Sequence, residues 1–325
     1  SGIPVVNVNN NCSTGSSALF LARQAVESGA VECALALGFE QMQPGALKNN
    51  WDDRPPAMGE GLAITKQLAS DVEGLPMALQ MFGGAGREHM QKYGTQLSTF
   101  AAIRAKASHH AANNPLALFR KVVSTEDVMN DQVIWPGVMT RLMACPPTCG
   151  AAAAIVCSEA FAKKHGLSRG VTILAQSMTT DRPESFEPPS MIQMVGFDMA
   201  QRAAQEVYEK AGVGPQDIRV AELHDCFAHN ELLTYESLGL CPVGGAEQFI
   251  LDGDNTYGGQ VVTNPSGGLL SKGHPLGATG LAQCYELTQQ LRGTAAARQV
   301  EGVNLALAHN LGLGGACVVT LYGRG

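Results

Sequence analysis

Strand and helix patterns alternate along this chain in two series that follow one plan, and this duplication limits the fold more than any other feature. The second series is complete. Residues 171–177 read as a strand, 194–211 as a helix stopped by Gly212, 218–223 as a strand and 227–238 as a helix ending at Gly239. A short strand follows at 260–263, a helix at 276–291 closed by Gly293, and two final strands at 303–308 and 316–321. Such alternation specifies an α/β domain with a buried sheet. The first series is shorter: a strand at 3–8, a helix at 13–28, a strand at 32–39, and a last strand at 150–157. Set beside the second, it lacks an opening β-α-β-α. A stretch of roughly 70 to 100 residues is therefore expected ahead of residue 1. Without it, the strand at 3–8 would be an exposed apolar edge.

From about 41 to 145 the pattern breaks up. Prolines at 44, 55, 56, 76, 115 and 136 interrupt it, with helical pieces at 84–93 and 96–112. An interruption this long carries structure or function of its own, and it reads as an inserted domain. The expected organisation is a first half over 1–160, incomplete at its start and containing the insertion at about 41–145, and a second half over 168–325.

Composition agrees with a large core. Hydrophobic residues make up 45% and charged residues 16% of the 325 positions, and 37 glycines suit close helix–sheet packing. A net charge of −7 argues against a general nucleic-acid or anionic-membrane surface. No apolar run approaches the roughly 18 to 20 residues of a membrane-spanning helix. The nine cysteines are odd in number and loosely spaced, which reads as free thiols in a reducing compartment.

Four stretches could carry chemistry, and all fall where a strand ends. In Asn9-Asn10-Asn11-Cys12-Ser13-Thr14-Gly15-Ser16 the cysteine sits between a strand and a helix. The free N–H groups and dipole of the helix N-terminus are expected to lower its pKa and to hold an oxyanion. His224-Asp225-Cys226-Phe227 opens another helix. Gly273-His274-Pro275-Leu276-Gly277-Ala278-Thr279-Gly280 opens a third, with Pro275 at or near its first position. His309-Asn310-Leu311-Gly312-Leu313-Gly314-Gly315 is a glycine-rich turn between the last two strands. A thiol, an imidazole and glycine N–H donors together suit acyl transfer through a cysteine.

These motifs resemble the thiolase family, and the His-Asp-Cys-Phe form resembles its sterol-carrier-protein-2 branch. The resemblance covers nearly the whole chain. It implies a thiolase fold: two similar βαβαβαββ halves in a layered α-β-α-β-α core, plus a loop domain. It also implies a family chain that begins well before residue 1. It assigns Cys12 as the acylated nucleophile and His274 as the group that activates it and helps hold the thioester oxygen. Most thiolases have a second cysteine in a Cys-x-Gly turn near the C-terminus. Asn310 occupies that position here, so the resemblance assigns the acid/base thiol to Cys226. His224 stands where other thiolases place an asparagine that positions a water. Gly312 matches the glycine whose N–H pairs with that of Cys12 in a second oxyanion hole. Met81, Phe82 and Ser266 fall in regions that would approach coenzyme A.

The activity implied is thiolytic cleavage of a 3-ketoacyl-CoA, or the reverse Claisen condensation. Acyl-CoA and CoA are the substrates, with no bound cofactor, no metal and no nucleic acid. A homodimer or tetramer in the peroxisome, or alternatively the mitochondrion, is implied as well. Two rivals are a non-catalytic acyl-CoA or lipid-binding protein on the same fold and a decarboxylating condensing enzyme. Intact Cys12, Cys226 and His274 weigh against the first, and the paired motifs against the second.

Other signals are expected to be structural. Cys145-x3-Cys149 with Cys157 lacks the second pair a metal site needs. Asp252-Gly253-Asp254-Asn255 lacks the residues that complete a calcium loop. Cys33, Cys157, Cys284 and Cys317 lie in apolar runs and read as core, and His109-His110 reads as solvated.

Overall fold

The computed structural model describes residues 2–43, 53–55, 58–72, 74–167 and 170–325. Pro44, Pro56 and the expected start of the second half at 168 lie outside the described residues. The first half contributes α1 (Thr14–Glu27) and β1 (Cys33–Glu40). Then come α2 (Gly59–Leu68), α3 (Met77–Tyr93), α4 (Leu97–Ala112), α5 (Thr125–Met129) and a small hairpin of β2 (Val133–Trp135) and β3 (Met139–Thr140). β4 (Gly150–Cys157) returns antiparallel to β1, with Glu40 opposite Gly150 and Cys33 opposite Cys157. Everything between those two strands is an insertion into one β-pair.

After α6 (Glu159–Lys164) the second half runs β5 (Val171–Thr179), α7 (Met191–Met194), α8 (Phe197–Ala211), β6 (Val220–Glu222), α9 (Ala228–Ser237), α10 (Ala246–Leu251), β7 (Val262–Thr263), α11 (Thr279–Arg292), β8 (Leu305–Gly312) and β9 (Ala316–Arg324). Its sheet has the order β5-β9-β8-β6-β7, antiparallel at β5-β9-β8 and parallel at β8-β6-β7. The repeat is visible in space: α1 leads into the antiparallel pair β1–β4 as α11 leads into β8–β9.

Strand periodicity sorts this sheet onto two cores. Leu307, Val319 and Leu321 face one way, into a large cluster with α3, α4, α8 and α9. Ala306, Ala308 and Tyr322 face the other way, onto α1 and α11. Leu281 and Leu287 of α11 are wholly buried between the two sheets. Burial of that kind contributes about 2 kcal/mol per side chain. The described layers are therefore α8/α9, the five-stranded sheet, α1/α11, and the β1–β4 pair.

Four expectations are corrected. Residues 3–8 form no strand. They pair with nothing among the described residues, and Ile3, Val5 and Val6 are exposed. An extended apolar run needs a neighbouring strand to hold it, and none lies alongside. Second, the fifth layer of the expected core is not present among the described residues. The helix α1 covers the inner face of β1–β4, while Leu35, Leu37, Phe39 and Ile155 stand exposed on the outer face. Third, Cys33 on that outer face is exposed and Cys157 half-buried, whereas Cys284 and Cys317 are buried as expected. His110 is also buried rather than solvated, bonded to the Asn264 carbonyl at 3.0 Å and to the Thr256 hydroxyl at 2.8 Å.

Candidate active site

The two middle-layer helices bring the motifs together. A Cβ on Gly15 would sit 3.0 Å from the Gly277 carbonyl, and one on Gly280 would sit 2.5 Å from the Ser16 nitrogen. Only chains without side chains there cross so closely. Cys12 and His274, each just ahead of its helix, thereby meet. The Cys12 sulfur and ring nitrogens of His224 and His274 all lie within 4.8 Å of one another. The two imidazoles meet edge-on, with centroids 5.1 Å apart.

Cys12 sits in a tight turn. The Ser13 N–H and hydroxyl both donate to the Asn10 carbonyl, at 3.1 and 2.8 Å. Asn11 takes a left-handed φ of 52°, which asparagine tolerates better than most residues, and its amide donates to the Leu313 carbonyl at 3.2 Å. Gly312, at the end of β8, closes against this turn. A Cβ there would lie 2.1 Å from the Asn10 carbonyl oxygen and 2.7 Å from the Ser13 hydroxyl. Gly312→Ala is expected to push the turn aside, costing roughly 1–3 kcal/mol of stability and slowing acylation of Cys12. Thermal unfolding and a timed acylation assay measure both, and an unchanged acylation rate would contradict this role for Gly312.

The resting thiol is not ionised, contrary to expectation. Burial pushes Cys12 up to about 12; its own backbone hydrogen bond opposes this and the Glu40 charge adds to it. Desolvation outweighs the backbone hydrogen bond that favours the thiolate. A neutral thiol needs a base before it can attack, and His274 is one of the two imidazoles within reach of it. The Thr279 hydroxyl donates to the Pro275 carbonyl at 3.1 Å, so it accepts from His274 Nδ1–H at 2.7 Å. His274 Nε2 is left with a free lone pair, and it is buried with no partner. Burial first, then the charge of Lys272, lowers His274 to about 3, so the ring stays neutral.

Asp225 links the two histidine segments. It is fully buried and accepts from the Leu269 and Leu270 N–H groups at 2.7 and 3.3 Å, in the π-helical turn Gly268–Lys272 that leads into His274. Its neighbour His224 is held on both sides. The Asn310 amide donates to His224 Nδ1 at 3.0 Å, and the Asn230 amide donates to the His224 carbonyl at 2.6 Å.

Cys226 is buried outside the three-residue cluster but near enough to feel it. Burial raises its thiol well above the usual range, with Cys145, Cys12 and Asp225 adding in that order. Cys145 lies beside Cys226, a neighbour that sequence reasoning missed. Ala144 bridges antiparallel to Phe227, and the Cys145 N–H donates to the Cys226 carbonyl at 2.9 Å, so the two cysteines lie opposite one another. Neither its spacing to Cys149 nor its neighbours signalled this, because the pairing spans the insertion.

The expected coenzyme-A contacts take other roles. Met81 and Phe82 are buried, and Phe82 stacks on Phe227 at 4.9 Å, supporting Cys226 from behind. The Ser266 hydroxyl donates to buried Glu222 at 2.8 Å. None of the three offers an open surface to a ligand in this arrangement.

Comparison with known proteins agrees with the motifs. A family model described as thiolase C-terminal domain-like matches residues 185–322. Sterol carrier protein 2 of Oryctolagus cuniculus is 57% identical over the whole chain, and the chain spans 59% of that relative's length. The benzoylsuccinyl-CoA thiolase subunit BbsB of Thauera aromatica is 35% identical over 96% of the chain and 77% of its own. Among solved structures, an Ltp2-ChsH2(DUF35) aldolase superposes with a TM-score of 0.80 at 22% identity, over 97% of this chain and 78% of that one. Human mitochondrial 3-ketoacyl-CoA thiolase gives 0.67 at 18% identity, over 99% and 79%. At these identities the structural likeness shows the fold alone. Fold, motifs and relatives converge: the chain belongs to the thiolase family, in its sterol-carrier-protein-2 branch.

Proposed function

We propose that the protein catalyses thiolytic cleavage of 3-ketoacyl-CoA, or the reverse condensation, through an acyl-Cys12 intermediate. The observation that carries this reading is the meeting of the Cys12 sulfur with one ring nitrogen each of His224 and His274, all within 4.8 Å of one another. A protein that only bound acyl-CoA or lipid needs no thiol held against two imidazoles, whereas acyl transfer through Cys12 does.

In the degradative direction His274 Nε2 takes the Cys12 proton as the sulfur attacks the 3-keto carbon. The bond between C2 and C3 then breaks, and its electron pair passes to C2 and the thioester oxygen. Protonation at C2 by the Cys226 thiol releases acetyl-CoA or propanoyl-CoA. The Cys226 thiolate next takes the proton of incoming CoA, whose sulfur attacks acyl-Cys12. Cys12 leaves and recovers its proton from His274. The N–H groups of Cys12 and Gly312 would hold the acyl oxygen, and His224 and His274 the thioester oxygen. CoA is a substrate here, not a resident cofactor. The sterol-carrier relatives support acyl chains of lipid origin. A peroxisomal location and a homodimer or tetramer are carried over from the family resemblance.

A coupled assay with a 3-ketoacyl-CoA and CoA should yield acetyl-CoA and the shortened acyl-CoA. Acylation of Cys12 should be flat from about pH 5 to about pH 9. His274 loses its lone pair only as pH falls toward about 3, and Cys12 ionises only as pH rises toward about 12. Binding of ketoacyl-CoA without conversion would favour the non-catalytic reading.

A further inference from the structure

The structure assigns Asn310 as a positioning residue that sets the tautomer of His224 and makes it the hydrogen-bond donor of the site. The inference deepens the proposed reaction and rests on it for its catalytic consequence. Asn310 is fully buried, and both ends of its amide are engaged. Its Oδ1 accepts from the Ser16 hydroxyl at 2.8 Å, on the nucleophile helix, and its Nδ2 donates to His224 Nδ1 at 3.0 Å. An amide nitrogen can only donate, so Nδ1 supplies the lone pair and the ring proton sits on Nε2. Gly280 closes the space beside this bridge; a Cβ there would lie 2.0 Å from the Ser16 hydroxyl and 2.6 Å from Asn310 Oδ1.

The ring carries that one proton and no second. Burial first, and then the neighbouring His274, His309 and Lys272, which oppose a second proton on the ring, hold His224 well below its ordinary pKa. With Nδ1 taken by Asn310, Nε2–H is the nitrogen left for the site. The two edge-on histidines therefore hold opposite tautomers. Thr279 makes His274 an acceptor toward the Cys12 thiol, and Asn310 makes His224 a donor toward a developing oxyanion. Reaction at the thioester oxygen needs the donor at His224, and His274 becomes a second donor there once it has taken the Cys12 proton. The same split weighs against the cluster of Cys12, His224 and His274 as a metal site, because a ligating imidazole must offer a lone pair.

Asn310→Asp reverses only the bond to His224. The carboxylate still accepts from Ser16, but it can only accept from His224 as well, so the ring proton moves to Nδ1, which donates to the carboxylate, and Nε2 keeps the lone pair. The wild-type protein, labelled with 15N-histidine and without substrate, should show His224 Nδ1 unprotonated and Nε2 protonated, and the variant the reverse. Turnover of the variant at neutral pH should fall about 10²- to 10³-fold, the usual loss of one oxyanion donor. Acylation of Cys12 from a simple acyl-CoA should stay within about threefold. Turnover should recover as pH falls, once a proton shared between the introduced carboxylate and His224 restores donation from Nε2. A wild-type His224 protonated at Nδ1 would overturn the assignment, as would a variant with unchanged turnover and pH profile. The tautomer is read without substrate, so it decides the matter even if the variant fails to fold. If the tautomers are as stated but no 3-ketoacyl-CoA is cleaved, the proposed reaction fails and the role of Asn310 toward His224 stands.

Discussion

Cys12→Ala is expected to abolish turnover while leaving the fold in place. The substitution deletes one sulfur from a half-buried position whose turn is held by the backbone of Asn10 and Ser13. Little packing is lost, so the melting temperature should shift by only a few degrees. The chemical loss is of another order. Without a covalent intermediate, cleavage of the C2–C3 bond would need direct attack by CoA or water on a ketone. Removing a nucleophile from a unit that works together costs on the order of a million-fold, or about 8 kcal/mol of barrier. Incubation of the wild-type protein with an acyl-CoA should add one acyl group, located at Cys12 by peptide mass spectrometry. Stoichiometric acylation at another cysteine, or substantial turnover in Cys12→Ala, would refute the assignment.

Much of the fold was legible where local patterns and tertiary packing agree. The strand at 150–157 and the helices at 13–28 and 96–112 fall within a residue or so of their observed bounds. The helix expected at 194–211 divides at Gly196, whose left-handed φ of 91° ends α7 before α8 begins. Residues 3–8 show the limit of reading patterns. They have the composition of a strand, but a strand is a pairing, and composition does not supply a partner.

The site was legible to a similar depth. Cys12, His224 and His274 each lie in a segment that leads into a helix, and the packing of α1 on α11 brings the first and last of them together. The ionisation of Cys12 was not legible. The helix N-terminus is a local signal, whereas the burial that raises the thiol exists only in the folded chain. Asn310 was read as the absence of a thiol. Its actual contacts, to Ser16 and His224, join the nucleophile helix to the second half and carry no local signature.

The acid/base assignment is the sharpest remaining test, because two thiols compete for it. Cys317, seven residues beyond Asn310, is buried in β9 as its apolar run implied, opposite Thr179 and Leu311. Cys145 is the competitor the structure presents. It lies opposite Cys226, and burial and then Cys12 raise its thiol. Cys226 has the stronger claim on position. It follows His224 and Asp225 in one segment, and the stack of Phe82 on Phe227 fixes the backbone beside it. Burial also keeps it a neutral acid until a carbanion forms, which protonation at C2 requires. Cys226→Ser should preserve the fold and the acylation of Cys12 from a simple acyl-CoA. Turnover should fall by roughly two to four decades, the worth of a positioned acid/base. Cys145→Ser should cost less than about tenfold, and Cys317→Ala should alter stability but not rate. Single-turnover kinetics separate the two half-reactions, because the loss in Cys226→Ser must lie after acylation. If Cys145→Ser shows the large loss and Cys226→Ser the small one, the proton passes through the insertion side of the pair, and Cys226 only lines the pocket.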